Sequence, residues 1–373
     1  MKFCAVSMRN LPGLLACGVL LAVCWSGPLQ AKSPVKPIAP AQQLWPVQVH
    51  TDLIWTHVDG QPLKLDIYQP ISAQLRPVVL MLHGGGWLVN DKHIMQQSAA
   101  YLARHGGFVV VNADYRLLGD QQNQIQLQHI INDALGAVVW VKQHIRVYSG
   151  APEQVAVTGD SAGGHLAAMT LLAGRRLGGN ATQSAYLAPW PAFTPSYLPA
   201  GISAQQLAAS DALRLQAAVL SYPVLDVKQR AERGFESSSN GFWRWGNASP
   251  RGLFGADINV QQHPLFYQAA SPQWLVPLRQ HYQLAPQLIQ VGSLDTTTPV
   301  SSAQRYAKAL QQAGQPVRLQ IFPGLAHAYL DNACPRSQGI CAWPRETAPL
   351  DQMIVFLRQV FAENEAVQAN TKQ

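Results

Sequence analysis

Two glycine-bracketed turns, each entered from a run with buried-strand character, constrain this chain more than any other feature. Pro77-Val78-Val79-Leu80-Met81-Leu82 leads into His83-Gly84-Gly85-Gly86-Trp87, and Val155-Ala156-Val157-Thr158 leads into Gly159-Asp160-Ser161-Ala162-Gly163-Gly164. The second turn is a G-x-S-x-G elbow, in which a strand bends sharply into a helix and holds its serine in a strained conformation. Bulky side chains two residues either side of Ser161 would clash, so Gly159 and Gly163 are steric requirements. The first turn frees backbone N–H groups to face a developing oxyanion. Either motif alone has an ordinary reading as loop punctuation. Their context separates them from it: an apolar strand precedes Ser161, a helix-like run (His165 to Leu172) follows it, and the glycine turn lies upstream. Together they imply a serine hydrolase acting on an acyl group.

Such a nucleophile needs an acid and a histidine, expected downstream in that order. Gln287-Leu288-Ile289-Gln290-Val291 reads as a strand that runs into Gly292-Ser293-Leu294-Asp295, just before a helix expected over 301–313. Asp295 also suits a turn or helix cap. Val317 to Phe322 reads as the next strand and runs into Pro323-Gly324-Leu325-Ala326-His327. The other histidines fit less well. His83 precedes the glycines, His165 lies in the helix after the elbow, and no strand leads into His263 or His281. Ser161, Asp295 and His327 are therefore the expected catalytic residues, with His327 as general base and Asp295 fixing its tautomer. The N–H groups of Gly84, Gly85 and Ala162 are the expected oxyanion hole, and Trp87 is expected to touch substrate.

The chain has 373 residues, 48% hydrophobic and 13% charged, which suits one sizeable α/β domain with insertions. Its formal charge of +7 falls to 25 basic against 20 acidic residues without residues 1–31. The charge is dispersed, without the basic runs and interleaved aromatics of nucleic-acid readers, so no nucleic-acid partner is expected. No HExxH motif or close His/Cys cluster is present, and neither metal nor cofactor is called for. The body of the chain lacks the apolar run of about 18 residues that an integral membrane span requires.

Residues 1–31 read as a secretory signal peptide: Lys2 and Arg9, then an apolar stretch from Leu11 to Trp25, then Leu29-Gln30-Ala31. Export to the periplasm or medium follows, with a lipoprotein signal at Cys24 or an uncleaved anchor as alternatives. Cys334 and Cys341, the cysteines left after cleavage, are expected to pair, closing a short loop for at most about 2–3 kcal/mol. Residues 32–46 form a Pro/Ala/Gln-rich linker. The domain is expected over 47–364, opening with a hairpin turned at Asp59-Gly60, and a polar tail over 365–373. Strands and helices then alternate, which argues a mostly parallel central sheet with helices on both faces. Aromatic-rich segments near 174–213 and 228–274 interrupt it and are expected to cap the pocket.

The two glycine turns, Asp114-Tyr115-Arg116-Leu117 and the opening Leu63-Lys64-Leu65-Asp66-Ile67-Tyr68 resemble α/β-hydrolases of the hormone-sensitive-lipase-like and BD-FAE-like esterase group. The resemblance spans roughly residues 60 to 360. It implies the α/β-hydrolase fold, the same triad and oxyanion residues, and an ester substrate, either a small molecule or one linked to a polysaccharide. The acid loop lacks the D-P-L-x-D string of hormone-sensitive-lipase-like members, which tilts the match toward the BD-FAE-like side. Trp87 also resembles the H-G-G-x-W pattern of kynurenine formamidases, so amide hydrolysis stays open. A third alternative is a non-catalytic binding protein that retains the fold.

Overall fold

Eight strands form one sheet: β1 (Val47–Val58), β2 (Gln61–Pro70), β3 (Arg76–Leu82), β4 (Val109–Ala113), β5 (Gly150–Asp160), β6 (Ala217–Ser221), β7 (Gln287–Gly292) and β8 (Val317–Phe322). Their order is β1-β2-β4-β3-β5-β6-β7-β8, antiparallel across β1, β2 and β4 and parallel from β4 to β8. The computed structural model describes residues 44–174, 177, 193–331 and 346–371. The expected signal peptide, most of the linker, Trp190 and the Cys334–Cys341 pair lie outside those residues.

Strand alternation divides the core. Val78, Leu80 and Leu82 of β3 face one apolar layer, while Val79 and Met81 face the other. Helices α1 (Leu127–His144), α2 (Ala162–Ala173) and α3 (Val300–Gln312) cover the first face. Residues 95–103 and helix α4 (Ala348–Thr371) cover the second. Burial on both faces explains why the central strands read as continuous apolar runs. The hairpin turns at Asp59 and Gly60 with both φ positive, 49° and 81°, as a two-residue primed turn demands.

One expected boundary moves. Helix α4 continues to Thr371, through the 364 limit drawn for the domain. Of the 174–213 segment expected to cap the pocket, residues 178–192 lie outside the described residues, and the 193–213 part is anchored on a helix. It lies along α1, where Ser196 N–H bonds the Asn132 carbonyl at 3.0 Å and Tyr197 Oη bonds His144 at 2.7 Å. Gly136 permits this approach, because a Cβ there would stand 2.7 Å from Ser196 Oγ. Arg116 ties the loop after β4 to the same helix: Nε and Nη2 each donate to the buried Asp133 carboxylate at 2.9 Å.

Candidate active site

The sheet sets the geometry. Strands β5, β7 and β8 run parallel, so the residues just past their carboxyl ends gather on one edge, where open α/β sheets bind ligands. Ser161 follows β5 directly, Asp295 follows β7 by three residues and His327 follows β8 by five.

Ser161 has φ 51° and ψ −114°, outside the regions that L-residues favour. Such a conformation costs about 1–3 kcal/mol and persists only where the surroundings impose it. Here the backbone imposes it: Ser161 N–H donates to Ser221 O at 2.9 Å, and its carbonyl accepts from Val224 N–H at 3.1 Å. A Cβ on Gly159 would run into the Gly163 carbonyl, and one on Gly163 would run into the Leu82 carbonyl. These clashes are the physical content of the G-x-S-x-G pattern.

His327 Nε2 lies 3.0 Å from Ser161 Oγ, and its Nδ1 lies 2.8 Å from Asp295 Oδ2. Asp295 is saturated with donors. The N–H groups of Thr297 and Thr298 bond its Oδ1 at 2.9 and 2.8 Å, and the Thr298 hydroxyl lies 3.0 Å from Oδ2. Burial pushes the Asp295 carboxyl up, but His327 and Thr298 together outweigh it and hold the group below its ordinary range. Donation of Nδ1–H to Asp295 leaves Nε2 free to accept a proton from the serine.

The glycine turn is braced from behind. His83 Nδ1 bonds the Gly84 carbonyl at 2.7 Å, and its ring stacks on Tyr115 with centroids 4.2 Å apart. Burial pulls the imidazole down to about 4, so it is neutral. The Asp160 carboxyl lies against the Gly84 backbone and engages it, which competes with the oxyanion role the sequence reading gave that glycine. Among the described residues, no acceptor takes the N–H of Gly85, Gly86 or Ala162. Gly85 and Gly86 have φ of 116° and 61°, conformations that glycine adopts without strain.

Trp87 also departs from expectation. It is 0% exposed and packs edge-on against His165 and Phe235, with centroids 5.1 and 5.5 Å away. A ring sealed in this way supports the turn and does not meet substrate. The aromatic rings over the turn are Phe242 and Phe235, which stand 3.2 and 3.5 Å from where a Gly86 Cβ would be. Both come from the segment between β6 and β7, which does reach the site. The aromatic run Phe242-Trp243-Arg244-Trp245 marked that segment in the sequence. Thr298 carried no such signal, since a threonine in a polar loop reads as a turn residue.

A family model described as an alpha/beta hydrolase fold matches residues 79–331, which hold both glycine turns, the acid loop and the histidine. Esterase LipI of Mycobacterium tuberculosis is 27% identical over 320 residues, covering 84% of each chain. The non-reducing polyketide synthase Preu6 of Preussia isomera is 26% identical over 80% of this chain, which spans only 14% of the synthase. In fold, the chain is similar to the apo form of Thermogutta terrifontis esterase 2, with TM-score 0.57 and 24% identity, covering 86% of this chain and 96% of that one. Sheet order, elbow and sequence agree: the chain belongs to the alpha/beta hydrolase fold family.

Proposed function

We propose that the protein is a serine carboxylesterase that hydrolyses small to medium acyl esters, free or carried on a polysaccharide, through an acyl-enzyme intermediate. One observation carries this reading: the unbroken line from Ser161 Oγ to His327 Nε2, and from His327 Nδ1 to Asp295 Oδ2, at 3.0 and 2.8 Å. The names of relatives such as LipI support it.

In the first half-reaction Ser161 Oγ attacks the ester carbonyl carbon while His327 Nε2 takes its proton. The carbonyl oxygen becomes an oxyanion, met by the N–H groups of Gly85, Gly86 and Ala162. Ala162 opens helix α2, whose dipole favours negative charge at that end. These donors strengthen as charge develops, so they act on turnover more than on binding. Collapse expels the alcohol, which leaves with the proton from Nε2. Water then attacks the acyl-serine, giving its proton to Nε2, and a second collapse releases the carboxylic acid and restores the serine hydroxyl. Asp295 stabilises the imidazolium throughout without itself taking the proton.

Export through residues 1–31 and a Cys334–Cys341 bridge belong to the same reading. A mature N-terminus at Lys32 and non-reducing mass spectrometry test them. For the activity, p-nitrophenyl acetate, butyrate and longer esters are compared with aminoacyl p-nitroanilides on the purified protein. Higher kcat/KM on esters is expected, and higher values on amides would make it an amidase. No turnover, with no organophosphonate labelling of Ser161, would leave a binding protein.

A further inference from the structure

Asp160 precedes the nucleophile, yet the elbow's steric logic does not require an acid there. It is wholly buried. Its Oδ2 sits so close to Gly84 that a Cβ on that glycine would collide with it, and the Gly84 backbone N–H serves the carboxyl. Its Oδ1 is also buried and meets no donor among the described residues. The carboxyl of another acid, Asp331, four residues past His327, lies within hydrogen-bonding reach of Asp160. Asp331 Oδ1 lies 3.3 Å from Tyr222 Oη, which accepts from Leu330 N–H at 3.2 Å. The Tyr222 ring stands edge-on to His327, with centroids 4.8 Å apart.

An ionised carboxylate only accepts, so two of them cannot hydrogen-bond. Nor can two like charges in one buried site both ionise cheaply. We propose that Asp160 and Asp331 share one proton, and that this carboxyl–carboxylate bond is a clasp joining the glycine turn, the serine elbow and the histidine loop. Both are positioning residues acting through Gly84 and His327, and the proposal rests on the esterase reading for its effect on rate.

Several groups face the pair: Tyr115 from the loop after β4, Tyr222 from the end of β6, and His327 and Tyr329 from the histidine loop. His83 stacks behind Tyr115 and Asp295 lies beyond Tyr329. Burial, reinforced by the partner's charge, pushes Asp160 well above the carboxylate range. Burial likewise lifts Asp331 to about 6. The two steps belong to the pair, which keeps one proton at neutral pH and loses it only as pH rises. With both groups charged, repulsion opens the clasp and frees the histidine loop.

The test combines infrared spectroscopy with pH–rate profiles. At pH 7 the wild-type protein should show the C=O stretch of a buried protonated carboxyl, absent from Asp160→Asn and from Asp331→Asn. An amide in either position still donates to the remaining carboxylate, so both Asn variants should keep most of the wild-type kcat while losing its alkaline fall. Asp160→Leu and Asp331→Leu should lower kcat by ~10–100-fold with little change in KM, the effect of reacting groups displaced by about 1 Å. Asn variants as slow as the Leu variants, an alkaline limb unchanged in them, or no protonated carboxyl in the wild type would each overturn the proposal. Wild-type protein that turns over no ester would instead remove the esterase reading, and the infrared band would still decide whether the proton is shared.

Discussion

His327 and Ser161 are separated by 166 residues of chain, and their side chains meet at 3.0 Å. Neither comes from a neighbouring turn of the other. Each is carried to the meeting point by its own strand, and the parallel register of β5 through β8 makes those strand ends coincide.

Replacing Ser161 by Ala should lower ester kcat by about 10⁶-fold, the scale seen when a triad nucleophile is lost. Stopped assays on p-nitrophenyl butyrate read the loss. A variant that keeps a tenth of the activity would take Ser161 out of the reaction.

Asp295→Asn should cost ~10⁴ in kcat with the fold unchanged, because an amide holds the wrong imidazole tautomer toward the serine. Thr298→Val should cost only ~10-fold, about the worth of one hydrogen bond to a charged group. Equal losses in the two variants would show that the acid loop is acting as one structural unit.

Gly163→Ala should fail to give soluble folded protein, since the added methyl group meets the Leu82 backbone and not a movable side chain. Circular dichroism and expression yield measure this. A well-folded, active Ala variant would contradict the close approach of the elbow helix to β3.

His83 and His165 should each take stability away as pH drops from about 6.5 to 4. Burial pulls both His83 and His165 down to about 4 in the native state, whereas in the unfolded chain they titrate near 6.5. Between those values the unfolded chain binds protons that the native one refuses, so up to about 3 kcal/mol per histidine is lost, levelling off below 4. Asp295 is shifted in the same downward direction, but from an ordinary value of 3.8, so its contribution is lost only at lower pH, as pH falls through its native value. Buried Asp331, lifted to about 6, works in the opposite sense over this range, so thermal melts compare the wild type with His83→Gln and His165→Gln, and variants with the wild-type pH slope would contradict the burial of both imidazoles.

Asp133→Ala should destabilise the protein by about 3–5 kcal/mol, because it strands the Arg116 guanidinium in the core. Asp59, whose side chain is 70% exposed, contacts the same arginine, and its loss should cost under about 1 kcal/mol. Urea denaturation of the two variants distinguishes the buried fork from the surface contact.

The strands that carry Ser161, Asp295 and His327 were legible because apolar runs ending in glycine or polar turns have few other structures open to them. The partners inside those turns were not. Thr298, Tyr222 and Asp331 are ordinary loop residues until folding brings their loops together, and no local period reports such a meeting. Trp87 misled because an aromatic beside a candidate oxyanion turn suggests ligand contact, while the same apolar ring is equally at home behind the turn. The packing of the segment over 193–213 was no more legible. Its aromatics announce that it will pack, but the small residue that receives it, Gly136, lies on a distant helix.

The strained backbone of Ser161 is held by main-chain bonds to Ser221 and Val224. The hydroxyl can therefore be deleted while the scaffold around it stands. An inert form made in this way would still recognise its natural ester without destroying it, and could serve as bait to retrieve that molecule from the organism's own extracts.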